Sequence, residues 1–193
     1  VKGTLEVTKR SVTLTSATDS KVYDGKALTN SNVTVTGDGF ATGEGATYDV
    51  TGTITDPGTE SNAFTYTLNE GTLAANYDIQ TVPGTLTITK ITKEIVITAD
   101  SDSKKYDGQP LTKDTYTYTQ GVLAEGDVLT AVVEGTITNV GTADNVVTSY
   151  KVMRGETDVT ANYTFGESVN GTLAVTKRSV ALTSADDSKV YDG

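Results

Sequence analysis

The groups with most chemical reach in this chain are its carboxylates. Twenty-five Asp and Glu stand against fifteen Lys and Arg, a net charge of −10, and there is neither histidine nor cysteine. Paired carboxylates can hydrolyse glycosidic bonds, and Asp38, Glu44 and Asp49 supply the residue type. None of them is picked out by a pocket-forming context. Without histidine or cysteine, the commonest general base and the readiest nucleophile are missing, and no serine has a partner base. The chain reads as a non-enzyme, and no catalytic residue is assigned. Calcium is the next candidate. Asp100, Ser101, Asp102 and Asp107 gather oxygens near one turn, as do Asp186, Asp187 and Asp192, and a hard cation wants six to eight of them. The corresponding stretch near the N-terminus keeps only Asp19 and Asp24, and no stretch has EF-hand spacing. Solvated turn carboxylates are the preferred reading, and no metal or cofactor is assigned. Tyr116 and Tyr118, two apart on one strand face, could form a binding platform, though core or cross-strand packing fits them better. The sequons at Asn32, Asn162 and Asn170 are expected by chance in a chain with 38 threonines.

The residues that position these groups repeat. Lys21-Val22-Tyr23-Asp24-Gly25 returns as Lys104-Lys105-Tyr106-Asp107-Gly108 and as Lys189-Val190-Tyr191-Asp192-Gly193. Gly52-Thr53-Ile54-Thr55 matches Gly135-Thr136-Ile137-Thr138, and Ala75-Asn76-Tyr77 matches Ala161-Asn162-Tyr163. Gly84-Thr85-Leu86 through Lys90 matches Gly171-Thr172-Leu173 through Lys177. The period exceeds the roughly 20–50 residues of a solenoid unit and suits small domains in series. The boundaries follow: 1–9 as the last strand of a preceding copy, a first copy over 10–90, a second over 91–177, and 178–193 as the start of another. Asp-Gly is a turn signal, since Asp bonds nearby amides and Gly accepts positive φ. Tyr23 and Tyr106 are expected to bury a ring while keeping the hydroxyl on a polar partner, and Tyr77 and Tyr163 likewise.

Period-two alternation marks the strands. Val12 and Leu14 oppose Thr13 and Thr15; Val33 and Val35 alternate with Thr34 and Thr36. Phe64, Tyr66 and Leu68 alternate with Thr65 and Thr67; Leu86 and Ile88 with Thr85, Thr87 and Thr89. No stretch has a convincing helical period; the nearest candidate, Asn69 to Ala75, carries Gly71. The expected fold is all-β: two tandem small modules, each an immunoglobulin-like sandwich or a helix-poor β-grasp. The junction Thr89-Lys90-Ile91-Thr92-Lys93-Glu94-Ile95-Val96-Ile97 lacks the composition of a flexible linker, so an elongated stiff rod is expected, with the strand pattern almost continuous. Parallel pairing of each module's first and last strands would let pulled ends shear many hydrogen bonds together.

Asp19 to Asp78 carries a run that resembles the YDG-type repeat domains of bacterial surface proteins, related to the MBG-type repeats. The landmarks are Asp19 to Gly25, Ala27-Leu28-Thr29, Val33 to Gly37, Gly43 to Tyr48 and Phe64 to Asn69, and the resemblance extends over essentially the whole chain. The second copy departs at Asp127-Val128-Leu129-Thr130 and at Met153-Arg154-Gly155, which replace Ala46-Thr47-Tyr48 and Asn69-Glu70-Gly71. The resemblance implies an extracellular protein of the bacterial surface, anchored to the cell wall, whose repeats act as a structural stalk or spacer projecting a distal adhesive domain. It supplies no catalytic residues. Two alternatives stand beside the stalk: weak multivalent mucin- or glycan-binding modules, and an accessory array in a large secreted carbohydrate-active enzyme. Partners would be host mucin, glycan or matrix protein reached through the parent protein. Gram-positive stalks can carry an isopeptide that joins a Lys to an Asn beside an acidic residue in an apolar pocket; Lys21 and Lys104 with Asn76 and Asn162 provide the residue types, and spacing does not bring them into contact. The acidic balance argues against nucleic acid, which calls for a basic patch. No apolar run approaches the ~20 residues of a membrane span, no signal peptide begins the chain, and a monomer is expected.

Overall fold

A computed structural model describes residues 2–193. The strands are β1 (Arg10–Ser16), β2 (Asp19–Val22), β3 (Val33–Gly37), β4 (Ala46–Val50), β5 (Gly58–Asn62), β6 (Phe64–Leu68), β7 (Tyr77–Val82) and β8 (Gly84–Thr89). They continue as β9 (Ile97–Ala99), β10 (Asp102–Lys105), β11 (Tyr116–Tyr118), β12 (Asp127–Glu134), β13 (Gly141–Arg154), β14 (Thr157–Asp158) and β15 (Gly171–Thr176). Among the described residues, the helical elements are single 3-10 turns at Ala74–Asn76 and Thr160–Asn162, just before the tyrosine of each Ala-Asn-Tyr motif. The fold is all-β, as the alternation requires.

Every sheet draws its strands from one sequence copy. In the first copy the sheets run β3-β1-β7, β2-β8-β5 and β4-β6; in the second they run β10-β15-β13-β12, with β14 on β13, and β11-β9. Opening and closing strands pair in parallel. β1 lies along β7, with Val12 opposite Ile79, and β2 along β8, with Lys21 opposite Ile88. In the second copy β10 lies along β15, with Lys104 opposite Val175. By compactness the chain falls into two units that do not follow the copies. One comprises the chain through Ile95 with Gln120–Leu129 and Val152–Phe165; the other comprises Val96–Thr119, Thr130–Lys151 and Gly166–Gly193.

In the first unit Val12 and Leu14 are fully buried beside Tyr77, with Val33, Phe40, Tyr48, Phe64 and Ile79 packed around them. Leu86 and Ile88 are buried in alternation along β8. In the second unit Leu111, Leu173 and Val175 form a core with Ile137 against it. The alternation weakens away from these central strands: Val35 in β3 and Tyr66 in β6 are exposed. Each of those strands has one sheet neighbour, so less of its apolar face is covered.

The strand pattern does not carry across the junction. β8 ends at Thr89, and Lys90–Glu94 has no strand before Ile95 bridges in parallel to Phe165. Of the segment 1–9 expected to be a strand, Val1 lies outside the described residues. Residues 2–9 pair with no sheet, and Leu5 and Val7 are exposed; residues 178–193 likewise form no strand.

Candidate functional site

Each Lys-x-Tyr-Asp-Gly turn is built by its own lysine. Lys21 Nζ donates to Asp24 Oδ1 at 2.7 Å and to the Lys26 carbonyl at 2.7 Å, while the Lys26 N–H donates to the same Asp24 oxygen at 2.9 Å. Lys104 repeats the arrangement with Asp107 at 2.8 Å and the Gln109 carbonyl at 2.7 Å. The lysine bond, with the turn amide added, holds the Asp24 and Asp107 carboxyls below the usual range. Gly25 and Gly108 both sit at φ 80°, which a side chain rarely adopts. The closing strand then fixes the tyrosine: the Tyr23 N–H donates to the Thr89 carbonyl at 2.9 Å, and Tyr106 N–H to that of Thr176 at 2.8 Å. The motif is a rigid mount for one aromatic ring.

Tyr23 leaves that mount to meet residues of the second copy, all inside the first compact unit. Its hydroxyl donates to Asp127 Oδ2 at 3.2 Å, and Tyr163 donates to the same oxygen at 2.5 Å. Arg154 Nε donates to Asp127 Oδ1 at 2.8 Å. The two rings meet edge to face with centroids 5.7 Å apart, and the Arg154 guanidinium lies 5.1 Å from the centre of the Tyr23 ring. The Asp127 side chain is wholly buried, which only a carboxylate with this much donation tolerates. Burial first, and then the bond to Asp127, drives the Tyr163 hydroxyl well above the usual phenol range; burial likewise raises Tyr23. Gly25 completes the fit, because a Cβ there would run into the Arg154 guanidinium. Asn162 Nδ2 donates to Asp56 at 2.8 Å, and Lys26 pairs with Glu125 at 3.1 Å on the exposed rim.

Tyr163 is held from behind by the Ala124 N–H, which donates to its hydroxyl at 2.9 Å. The first copy has the same device: the Ala41 N–H donates to the Tyr77 hydroxyl at 3.0 Å, and that hydroxyl donates to Glu44. Glu44 and Asp127 are therefore equivalents, each three residues after an alanine in Ala-x-Gly-acid, which corrects the sequence matching that set Asp127 in the place of Ala46. That spacing was the available signal for Asp127. Nothing local marks Arg154, whose partners lie 27 and more residues away.

A second pair went unread because asparagine in a threonine-rich chain looks like turn material. Asn62 and Asn145 are fully buried. Asn62 Nδ2 ties the carbonyls of Ala17 and Asn30 at 2.9 and 2.8 Å, and Asn145 ties those of Asp100 and Lys113 at 2.8 and 2.7 Å. Each clamps two loops beside Gly52 or Gly135, where a Cβ would strike the amide oxygen.

The other candidates fall apart spatially. Among the described residues no group of three or more Asp or Glu could share a metal ion. Asp100 accepts from Thr115, Asp102 from its neighbouring Ser103 N–H, and Asp107 from Lys104. Asp38 caps Ser11, Glu44 serves Tyr77, and Asp49 is exposed. Of the isopeptide candidates, Lys21 and Lys104 bond within their own turns and Asn162 bonds Asp56. Tyr106 departs from expectation: it is 40% exposed where Tyr23 is 2% exposed. It lacks the cover that Tyr23 finds in Asp127 and Tyr163. Tyr116 and Tyr118 pair with Ala99 and Ile97, both buried, and are themselves half-buried, so their faces turn to the core side of the ladder. One concavity recurs: Thr29, Asn30, Ser31, Val50, Gly52 and Thr53 line about 300 Å³, and Thr112, Lys113, Asp114, Val133, Gly135 and Thr136 line about 510 Å³. No protein-family model, curated protein or solved structure matches the chain.

Proposed function

We propose that the chain is a segment of a structural stalk: tandem β-modules near 10–90 and 91–177 that space a distal domain from a bacterial cell surface. The observation that carries this reading is the parallel pairing of opening and closing strands, β1 with β7, β2 with β8 and β10 with β15. Tension applied along the chain loads parallel neighbours in shear, so the ladder bonds resist together instead of peeling singly. The Tyr23–Asp127–Tyr163–Arg154 cluster serves the same end by fixing the first YDG turn against the second copy, without a flexible linker between them. Acidity keeps such a segment apart from its neighbours.

Single-molecule pulling tests this. Held at Arg10 and Thr89, the first copy should yield at several times the force needed when it is held at Ala46 and Leu68, paired residues at one end of the antiparallel β4–β6 ladder. Equal forces in the two geometries would remove the mechanical reading.

A second reading, a weak binding module for glycan or mucin, draws on the recurring concavity beside Gly52 and Gly135. Neither hollow carries an aromatic ring in its walls, and the one beside Gly135 is mainly apolar. Saturable binding to immobilised mucin, lost in Thr53→Trp and Thr136→Trp variants that fill both hollows, would favour it over the pure spacer.

A further inference from the structure

We propose that Asn170 is a self-modification site: its side-chain amide is lost to the backbone of Gly171, and the isoaspartate that results loosens the closing strand of the second copy. Asn170-Gly171 is the one Asn-Gly step in the sequence. Every other asparagine precedes a residue with a side chain, which crowds the ring that the reaction must close. Asn170 is exposed and stands just before β15, outside any strand. A following copy would leave it exposed. In the first copy, where the chain continues, Pro83 at the same place is exposed, and Val82 and Val169 before them are 47% and 49% exposed.

The two copies treat this step differently. In the first, proline precedes the glycine, so there is no side-chain amide to lose. Ser16 also holds the glycine backbone: its Oγ accepts from the Gly84 N–H at 2.8 Å and donates to the Asn62 carbonyl at 2.6 Å. In the second copy Ala99 takes the place of Ser16 against the glycine, so the Gly171 N–H has no such hydroxyl. The reaction needs only water. The Gly171 nitrogen attacks Asn170 Cγ, its proton passes to the departing amide, and ammonia leaves behind a five-membered succinimide. One water then opens either carbonyl of the ring, giving aspartate or isoaspartate.

The product falls where the fold has no slack, because Asn170 alone spans two fixed points. Before it, Val169 is tied to β9: its N–H donates to the Ile97 carbonyl at 2.8 Å, and its carbonyl accepts from the Ala99 N–H at 2.9 Å. After it, Gly171 faces Asn145 with the carbonyls of Ala99 and Asp100 behind it, and the Thr172 N–H donates to Ser101 Oγ at 2.9 Å. Isoaspartate routes the main chain through the former side chain and adds one carbon to this span. Ring closure therefore waits on a transient opening of this end of β15, and the lengthened product does not return to register. Each event is a one-way step that weakens the β10–β15 ladder beginning at Leu173, while Pro83 spares the first copy. The inference concerns covalent chemistry and does not rest on the stalk reading.

Ageing the full chain tests it. Samples kept in mildly alkaline and in mildly acidic buffer are digested and mapped by mass spectrometry, with isoaspartyl methyltransferase labelling to tell isoaspartate from aspartate. The expected result is conversion at Asn170 several-fold faster than at any other asparagine, with isoaspartate the larger product and the alkaline sample ahead. An Asn170→Ser chain is aged beside it; the position is exposed, so this variant should keep the native circular dichroism. The aged unsubstituted chain should unfold at lower urea than the fresh one, whereas aged Asn170→Ser keeps its fresh midpoint. Conversion at Asn170 no faster than elsewhere overturns the site. A midpoint unmoved once Asn170 has converted, or one that falls equally in Asn170→Ser, overturns the loosening of β15.

Discussion

Asp127 is the residue on which the joint turns. Two phenols and a guanidinium donate to it inside a buried site, so removing it strands Arg154 with part of its charge out of water. Asp127→Ala should cost about 3 kcal/mol, at the low end for a broken buried pair because the Arg154 side chain stays 26% exposed. Asp127→Asn, which keeps an acceptor for the phenols, should cost less; urea unfolding of the two variants measures the difference. The tyrosines set an alkaline limit. Their folded pKa values lie above the unfolded value of about 10, so the folded state holds protons that the unfolded state has released. Stability is unaffected below about pH 10 and declines as pH climbs toward the folded values. A Tyr23→Phe, Tyr163→Phe chain should show a shallower fall in thermal midpoint between pH 10 and 12. Asp24 and Asp107 act oppositely: their lowered values give stability present above about pH 4 and lost as pH falls through the folded pKa. Little of this was legible in the sequence, because Tyr23 and Asp127 are separated by 104 residues and spacing says nothing about contacts that distant.

At the scale of strands, legibility followed coverage. Val12 with Leu14 and Leu86 with Ile88 alternate because their strands have neighbours on both sides, and their burial matches the pattern residue by residue. Val35 and Tyr66 alternate too, yet remain exposed on strands with one neighbour. The nearly continuous strand pattern read across Thr89–Ile97 is broken at Lys90–Glu94 for a related reason: β-propensity without a partner ladder does not make a strand. The closing strand owes its position to a glycine. A Cβ on Gly84 would meet the carbonyls of Ser16 and Ala17, and one on Gly171 those of Ala99 and Asp100. Backbone cannot retreat as a flexible side chain can, so Gly171→Ala should destabilise by about 2–3 kcal/mol, read as a lowered urea midpoint. Gly3, in the matching position of Gly3-Thr4-Leu5, meets nothing, and Gly3→Ala should leave that midpoint unchanged.

Across the whole molecule, repetition was the part of the design most open to reading from sequence, since the landmarks recur in order. Every sheet takes its strands from one copy, a pairing that repetition by itself does not specify. Where compactness divides the chain was not foreseeable: Gln120–Leu129 and Val152–Phe165 group with the first copy, following side chains such as Asp127, Arg154 and Tyr163 that repetition alone does not single out. The ten-charge excess of acid acts at this scale as well. Twenty-five carboxylates against fifteen cations keep molecules apart near neutrality. As pH falls toward 4 and the excess is neutralised, light scattering should rise, and added salt at pH 7 should bring on the same association in milder form.

The joint also bears on heredity. A coding segment for one copy specifies both the tyrosine-bearing turn and the acid-and-tyrosine seat that receives such a turn. In the array proposed above, an in-frame duplication would bring in both halves of such a joint at once, and length could drift by whole members; a member with Glu70 in place of Arg154 would make the weaker seam.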